Sequence, residues 1–197
     1  TYRYLKKATL TSKSDSPETI RTVQTILDNI EAGGDIKALE YSTKYDRYYG
    51  PTILSRKDIE LASSQVSEKL KTDLLFSRNN VRRFAEAQRS TISNFKCEIL
   101  PGFVVGQKAI PINTAGCYIP GGRYKHVVSA IMKVTTAKVA GCKNIIACSP
   151  PSPEVGISPA IIYAAHICGA DKILAMGGVQ GLAAMAYGLF GLPKANI

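Results

Sequence analysis

A chain of 197 residues with 45% apolar and 20% charged side chains can bury a core, and that balance excludes a disordered polypeptide. The net charge of +10 is unevenly made: residues 1–100 hold 17 basic and 13 acidic side chains, whereas residues 101–197 hold 8 basic ones against Glu154 and Asp171 alone. So few carboxylates exclude most metal-binding and general acid–base designs from the second half.

In chain order, Ser16-Pro17-Glu18 reads as an N-cap, a first-turn proline and an early acid, and Gly33-Gly34 stops the helix that follows. Between them Ile20, Val23, Ile26, Leu27 and Ile30 recur at helical spacing and are expected to form one buried stripe. A short second helix is expected from Asp35 to Tyr45. Ser55 and Asp58 have the spacing of a capping box, opening a long helix through Ile59, Ala62, Val66, Leu70 and Leu74. It is expected to continue through Val81 and Phe84, with a kink at Asn79-Asn80. The basic run "RNNVRRFAEAQR" reads as a solvated helix face; without aromatic interleaving or a known motif it gives no ground for nucleic-acid binding.

From Cys97 the texture changes. "CEILPGFVVGQKAIPINTAGCYI" is β-prone and broken by Pro101-Gly102 and Pro111, which predicts a hairpin or meander. After Gly122 the elements alternate: "HVVSAIMKVTTAKVAG" helix, "KNIIACS" strand, "SPAIIYAAHICG" helix, "DKILAM" strand, "GVQGLAAMAYGLFG" helix. Such alternation predicts an α/β fold with a Rossmann-like parallel sheet covered on both faces and a ligand site at the strands' carboxyl ends. The chain is therefore read as an N-terminal helical region, 1–96, and a hairpin with the first part of a nucleotide-binding domain, 97–197. Residues 174–193 carry no charge, but five glycines and Gln180 interrupt them before Leu192, so they read as a buried strand and helix rather than a membrane span.

The cysteines (Cys97, Cys117, Cys142, Cys148 and Cys168) are odd in number, with no CxxC pair and no signal peptide. This points to reduced thiols in the cytoplasm, each expected to be a small buried hydrophobe. The chain starts at Thr1 and is expected to have been processed or cut.

Two stretches have the makings of a ligand site. In "INTAGCYIPGGRYKH", Tyr118 ends a strand, Pro120-Gly121-Gly122 permits close backbone approach, and a helix start follows whose N–H groups favour an anion. Arg123, Tyr124 and His126 add a forked cation, a phenol and a titratable donor. In "MGGVQGLAA" a glycine turn joins a strand to a helix, although it is not GxGxxG and no acid follows at the ribose-binding distance. There Gln180, an amide among small residues, needs a partner. His166 lies on an apolar helix and is read as a satisfied core histidine; no HExxH, GxSxG or Cys/His ligand set is present.

"AGCYIPGG", "AIMKVTTAKVAGCKNIIACSPP" and "GGVQGLAAMAYG" with "LPKANI", preceded by "TVQTILDNIEAGGDIKALEYSTKYD", resemble the histidinol dehydrogenase family over nearly the whole chain. The resemblance implies an NAD- and zinc-dependent alcohol dehydrogenase that forms a cytoplasmic homodimer. Tyr118 and Gln180 match positions that contact NAD; a third, an Asn in Gly-Pro-Gly-Asn, would follow Ile197. The zinc ligands and the catalytic Glu-His pair would lie further on, so the chain alone is expected to be inactive. Within the family, "RYKH" after Pro-Gly-Gly is closer to the sulfopropanediol dehydrogenase branch than to histidinol dehydrogenases proper. That places Arg123 and His126 at the substrate's anionic end, with Arg123 otherwise on a cofactor phosphate or a neighbouring subunit. The alternative reading is a truncated, non-catalytic module that binds nucleotide or a partner subunit.

Overall fold

The computed structural model describes residues 16–121 and 124–196. Helix α1 (Pro17–Asp46) starts where Ser16 caps it, its Oγ accepting from Thr19 N at 3.2 Å, and turns sharply at Gly34. The backbone there has φ 56° and ψ −140°, a conformation that side chains resist, so the expected pair of helices meets at this glycine. Ile26 and Ile30 are buried as the periodicity requires, but Ile20, on the first turn, is 59% exposed.

Helix α2 (Arg56–Ser64) has the predicted capping box: Ser55 N donates to Asp58 Oδ2 at 2.7 Å, and Asp58 N donates to Ser55 Oγ at 3.3 Å. Hydrogen bonding from the Ser55 hydroxyl, and then from its backbone N–H, holds the Asp58 carboxyl below its ordinary range. Ser55→Ala is expected to lower stability by about 1 kcal/mol, read as a shift of the denaturant midpoint at unchanged slope. The long helix predicted here is two helices, because α2 stops at Ser64 and α3 (Glu68–Ser90) begins after Ser67, whose Oγ accepts from Leu70 N. No break occurs at Asn79-Asn80. That exposed pair costs only helix propensity, and Asn79 Oδ1 accepts from the Arg78 guanidinium at 2.9 Å.

Strands β1 (Phe95–Leu100) and β2 (Phe103–Gln107) form the expected antiparallel hairpin. The third β segment does not extend it as a meander. Strand β3 (Thr114–Tyr118) instead pairs in parallel with β4 (Asn144–Ser149), which pairs in parallel with β5 (Lys172–Ala175). Helices α4 (Val127–Ala140) and α5 (Pro159–Cys168) make the two crossovers, and α6 (Gly178–Tyr187) follows β5.

Successive strand residues face opposite ways. Ala115, Cys117, Ile145, Ala147, Ile173 and Ala175 bury against α4 and α5, with α2 and α3 behind them. Ile146, Cys148, Leu174 and Met176 bury on the other face, against α1 and α6. The open edge of β5 is covered by residues 52–54, where Ala175 N donates to Thr52 O at 2.8 Å and Leu54 N donates to Ile173 O at 3.0 Å. Among the described residues no helix is long and apolar enough to cross a membrane.

Two side chains depart from expectation. His166 is exposed on the last turn of α5 rather than a core residue. Cys97 is exposed on the hairpin, whereas Cys117, Cys142, Cys148 and Cys168 are buried. Burial pushes the Cys117 thiol up to about 11 and the Cys148 thiol higher still.

Candidate functional site

The carboxyl ends of β3, β4 and β5 come together at Tyr118, Ser149 and Ala175, each with a proline or glycine within the next two residues. Tyr118 is the last residue of β3, and its phenol oxygen accepts from the Gly178 N–H at 3.1 Å, across the turn between β5 and α6. Burial pushes the pKa of that phenol above its ordinary value, against the lowering effect of this bond, so it remains an O–H donor. Its backbone carbonyl accepts from Lys133 Nζ at 2.5 Å, which ties the strand end to α4.

Gln180, in the first turn of α6, is 2% exposed and has the partner its burial demands. Its Nε2 donates to Asp46 Oδ2 at 3.2 Å. The same oxygen accepts from Gly177 N at 2.9 Å and from Ser42 Oγ at 3.0 Å. Asp46 therefore occupies one of the free donors at the start of α6, the place an anion would otherwise take. The sequence alone gives this residue no role, the second helix being expected to end one position before it, at Tyr45. Its one signal was positional, since a carboxylate on the last residue of a helix opposes the dipole and needs an external donor to offset that.

The turn is close-packed. A Cβ at Gly177 would stand 2.5 Å from Asp46 Oδ1 and 2.8 Å from Pro150 Cβ, and a Cβ at Gly121 would stand 2.8 Å from Ser149 Oγ. Ser149 is 1% exposed, and its hydroxyl has no hydrogen-bond partner among the described residues. Beside this cluster a cleft of about 530 Å³ opens between the end of α1 and the loop after β4, lined by Lys44, Arg47, Gly121 and Pro150 among others.

Tyr118 thus reaches the turn that opens the helix carrying Gln180, which brings the two stretches singled out in the sequence together. His126 lies exposed at the cap of α4, its backbone N donating to Pro120 O at 3.2 Å and its side chain making no cap bond. Arg123 lies outside the described residues. A second cavity of about 580 Å³ is lined by Lys138 and by Arg78, Arg82 and Arg89, and the three guanidinium groups already have partners. Arg78 donates to Ile167 O, Arg82 pairs with Glu86, and Arg89 donates to Ile92 O. Among the described residues no group of His, Cys, Asp and Glu side chains could hold a metal ion.

A parallel sheet covered on both faces, with a glycine turn and a helix start at its carboxyl end, defines a Rossmann-like α/β architecture. The chain matches the histidinol dehydrogenase family over residues 9–197 and belongs to that family of dehydrogenases. It is 64% identical over 197 residues to sulfopropanediol 3-dehydrogenase of Ruegeria pomeroyi, covering all of this chain and 45% of that protein. It is 36% identical over 188 residues to histidinol dehydrogenase of Methanosarcina barkeri, covering 95% of this chain and 43% of that protein. The crystal structure of histidinol dehydrogenase from Elizabethkingia anophelis superposes with a TM-score of 0.84 at 30% identity, over 98% of this chain and 43% of that one. The chain thus spans a little under half the length of the relatives it matches.

Proposed function

We propose that this chain supplies the NAD-binding face of a cytoplasmic, homodimeric alcohol dehydrogenase that oxidises a short diol bearing a sulfonate. The observation that carries the reading is the convergence of Tyr118 and Gln180 on the β5–α6 turn, at the carboxyl end of the sheet. The cleft of about 530 Å³ beside it, lined by Lys44, Arg47, Gly121 and Pro150 among others, supports the reading by leaving room for a ligand next to the turn.

Bound NAD would accept hydride from the carbinol carbon. Tyr118 would donate its phenolic hydrogen to the cofactor and Gln180 would hold a polar group of it. Arg123 and His126 would hold the anionic end of the substrate, a role for which a guanidinium fork beside an imidazole is suited. The enzyme would also use zinc, but the described residues offer no ligand set for it, so no residue of this chain is assigned to the metal. The sulfonate preference draws support from the 64% identity to a sulfopropanediol dehydrogenase against 36% to a histidinol dehydrogenase.

The test is an assay of NADH formation by the protein that carries this chain, with sulfopropanediol and with histidinol. Turnover of sulfopropanediol, with kcat/KM lowered at least tenfold by Arg123→Ala, is the expected result. Turnover of histidinol alone would overturn the substrate, and nucleotide binding without turnover of either would favour a non-catalytic module.

A further inference from the structure

Asp46 does more than brace a turn. We infer that it is a positioning residue that sets the hydrogen-bond polarity of the cofactor site, fixing Gln180 so that the site reads a ligand group with an N–H donor beside an acceptor. The inference rests on the NAD reading above.

An amide can present either end, and only its surroundings decide which. Here the decision is made on one side. A carboxylate accepts and cannot donate, so Asp46 Oδ2, 3.2 Å away, requires the Gln180 Nε2 end. Oε1 is thereby sent to the other side, beside exposed Gly178, where an added Cβ would stand 3.1 Å from it. Oε1 makes no hydrogen bond among the described residues and is not among their sealed, unpartnered atoms, so it remains available as an acceptor.

Tyr118 is polarised in the complementary sense. Its oxygen already accepts from Gly178 N, which leaves its hydrogen to donate. The turn therefore offers one acceptor and one donor. Asp46 itself cannot readily turn away, because Gly177 N and Ser42 Oγ hold the same oxygen at 2.9 and 3.0 Å.

NAD carries a matching donor–acceptor pair in two places, the nicotinamide carboxamide and the amino edge of adenine. Two analogues separate them: in acetylpyridine adenine dinucleotide the carboxamide NH2 is a methyl, and in nicotinamide hypoxanthine dinucleotide the adenine amino group is an oxo group. The protein carrying this chain is expected to show a KM at least tenfold higher for one of the two than for NAD. Which one identifies the group that is read.

Asp46→Asn would keep an oxygen opposite Gly177 N, so the variant that frees the amide is Asp46→Ala. In Asp46→Ala the amide of Gln180 is free to turn, so KM for NAD is expected to rise about tenfold, with a much smaller change in kcat, while discrimination against that analogue falls below threefold. The double substitution Asp46→Ala with Gln180→Glu gives the side chain at 180 an acceptor at both ends, one toward Gly177 N and Ser42 Oγ and one at the outer position. It is expected to restore the discrimination, which a merely structural role would not do, and it carries the test if the single variant fails to fold. Discrimination unchanged in Asp46→Ala, absent in the unmodified protein, or unrestored by the double variant would overturn the inference. Gln180→Ala separates this from the reading beneath it. An unchanged KM for NAD there would remove Gln180 from the cofactor site altogether, whereas a raised KM there with Asp46→Ala silent would remove only the role of Asp46.

Discussion

Gly177→Ala is expected to raise KM for NAD about tenfold and to lower stability by about 1–3 kcal/mol, the usual cost of forcing one carbon into a filled space. The backbone at Gly177 has φ −100°, which any residue adopts, so the penalty is entirely one of space. The added carbon would stand 2.5 Å from Asp46 Oδ1 and 2.8 Å from Pro150 Cβ. Neither neighbour yields easily: Pro150 is held by its ring, and Asp46 is held by three hydrogen bonds to one oxygen. Displacing the carboxylate would release Gln180, so the loss should appear in cofactor binding as well as in unfolding. A tenfold change corresponds to about 1.4 kcal/mol, within the range expected for one lost hydrogen bond to a charged group or somewhat less. Isothermal titration with NAD and denaturant unfolding of the same variant would measure the two effects separately. Wild-type NAD affinity in a folded variant would show that the turn tolerates the carbon.

Leu174→Ala is expected to have the larger effect on the fold, about 3–5 kcal/mol. Leu174 is fully buried in β5 and belongs to the cluster of Ile30, Ile146, Met176 and Ala184 that joins the sheet to α1 and α6. Its backbone is paired on both sides, with β4 and with Ile53, so the strand has little room to collapse into the cavity left behind. Because this cluster lies directly under the β5–α6 turn, the same variant should bind NAD more weakly at temperatures where it remains folded. A midpoint shift worth less than about 1 kcal/mol would mean that the site repacks around the missing carbons.

Most of the sheet was legible because its strands are near-continuous apolar runs bounded by glycine and proline, and its helices are punctuated by Ser158-Pro159, Gly141 and Gly169. The places of Tyr118 at a strand end and Gln180 at a helix start were legible for a related reason: each is a polar group where the chain turns from strand to helix or loop. The break between α2 and α3 was less visible, because Val66 and Leu70 keep the helical period across it. The capping serine at position 67 was the better guide, being followed by Glu68 in the first turn. Asp46 was not legible as part of the site. Its partners are 131 and 134 residues away, and no local pattern encodes a contact made by the packing of α1 on α6. Ile20 shows the same limit from the other side: periodicity names the apolar face of a helix but not how far along it the neighbouring element reaches.

The hairpin of β1 and β2 has a practical consequence. Every residue of β1 is exposed, and Phe95, Ile99, Leu100, Phe103 and Val104 lie uncovered on a ribbon with two free edges. A two-stranded ribbon of this composition is adhesive, since its edges invite further strands and its faces favour stacking. Handled as an isolated 197-residue polypeptide, the molecule would therefore be limited by colloidal behaviour before it was limited by folding. Lysine or glutamate at Ile99 and Val104 would be the first changes to make for concentrated solution work.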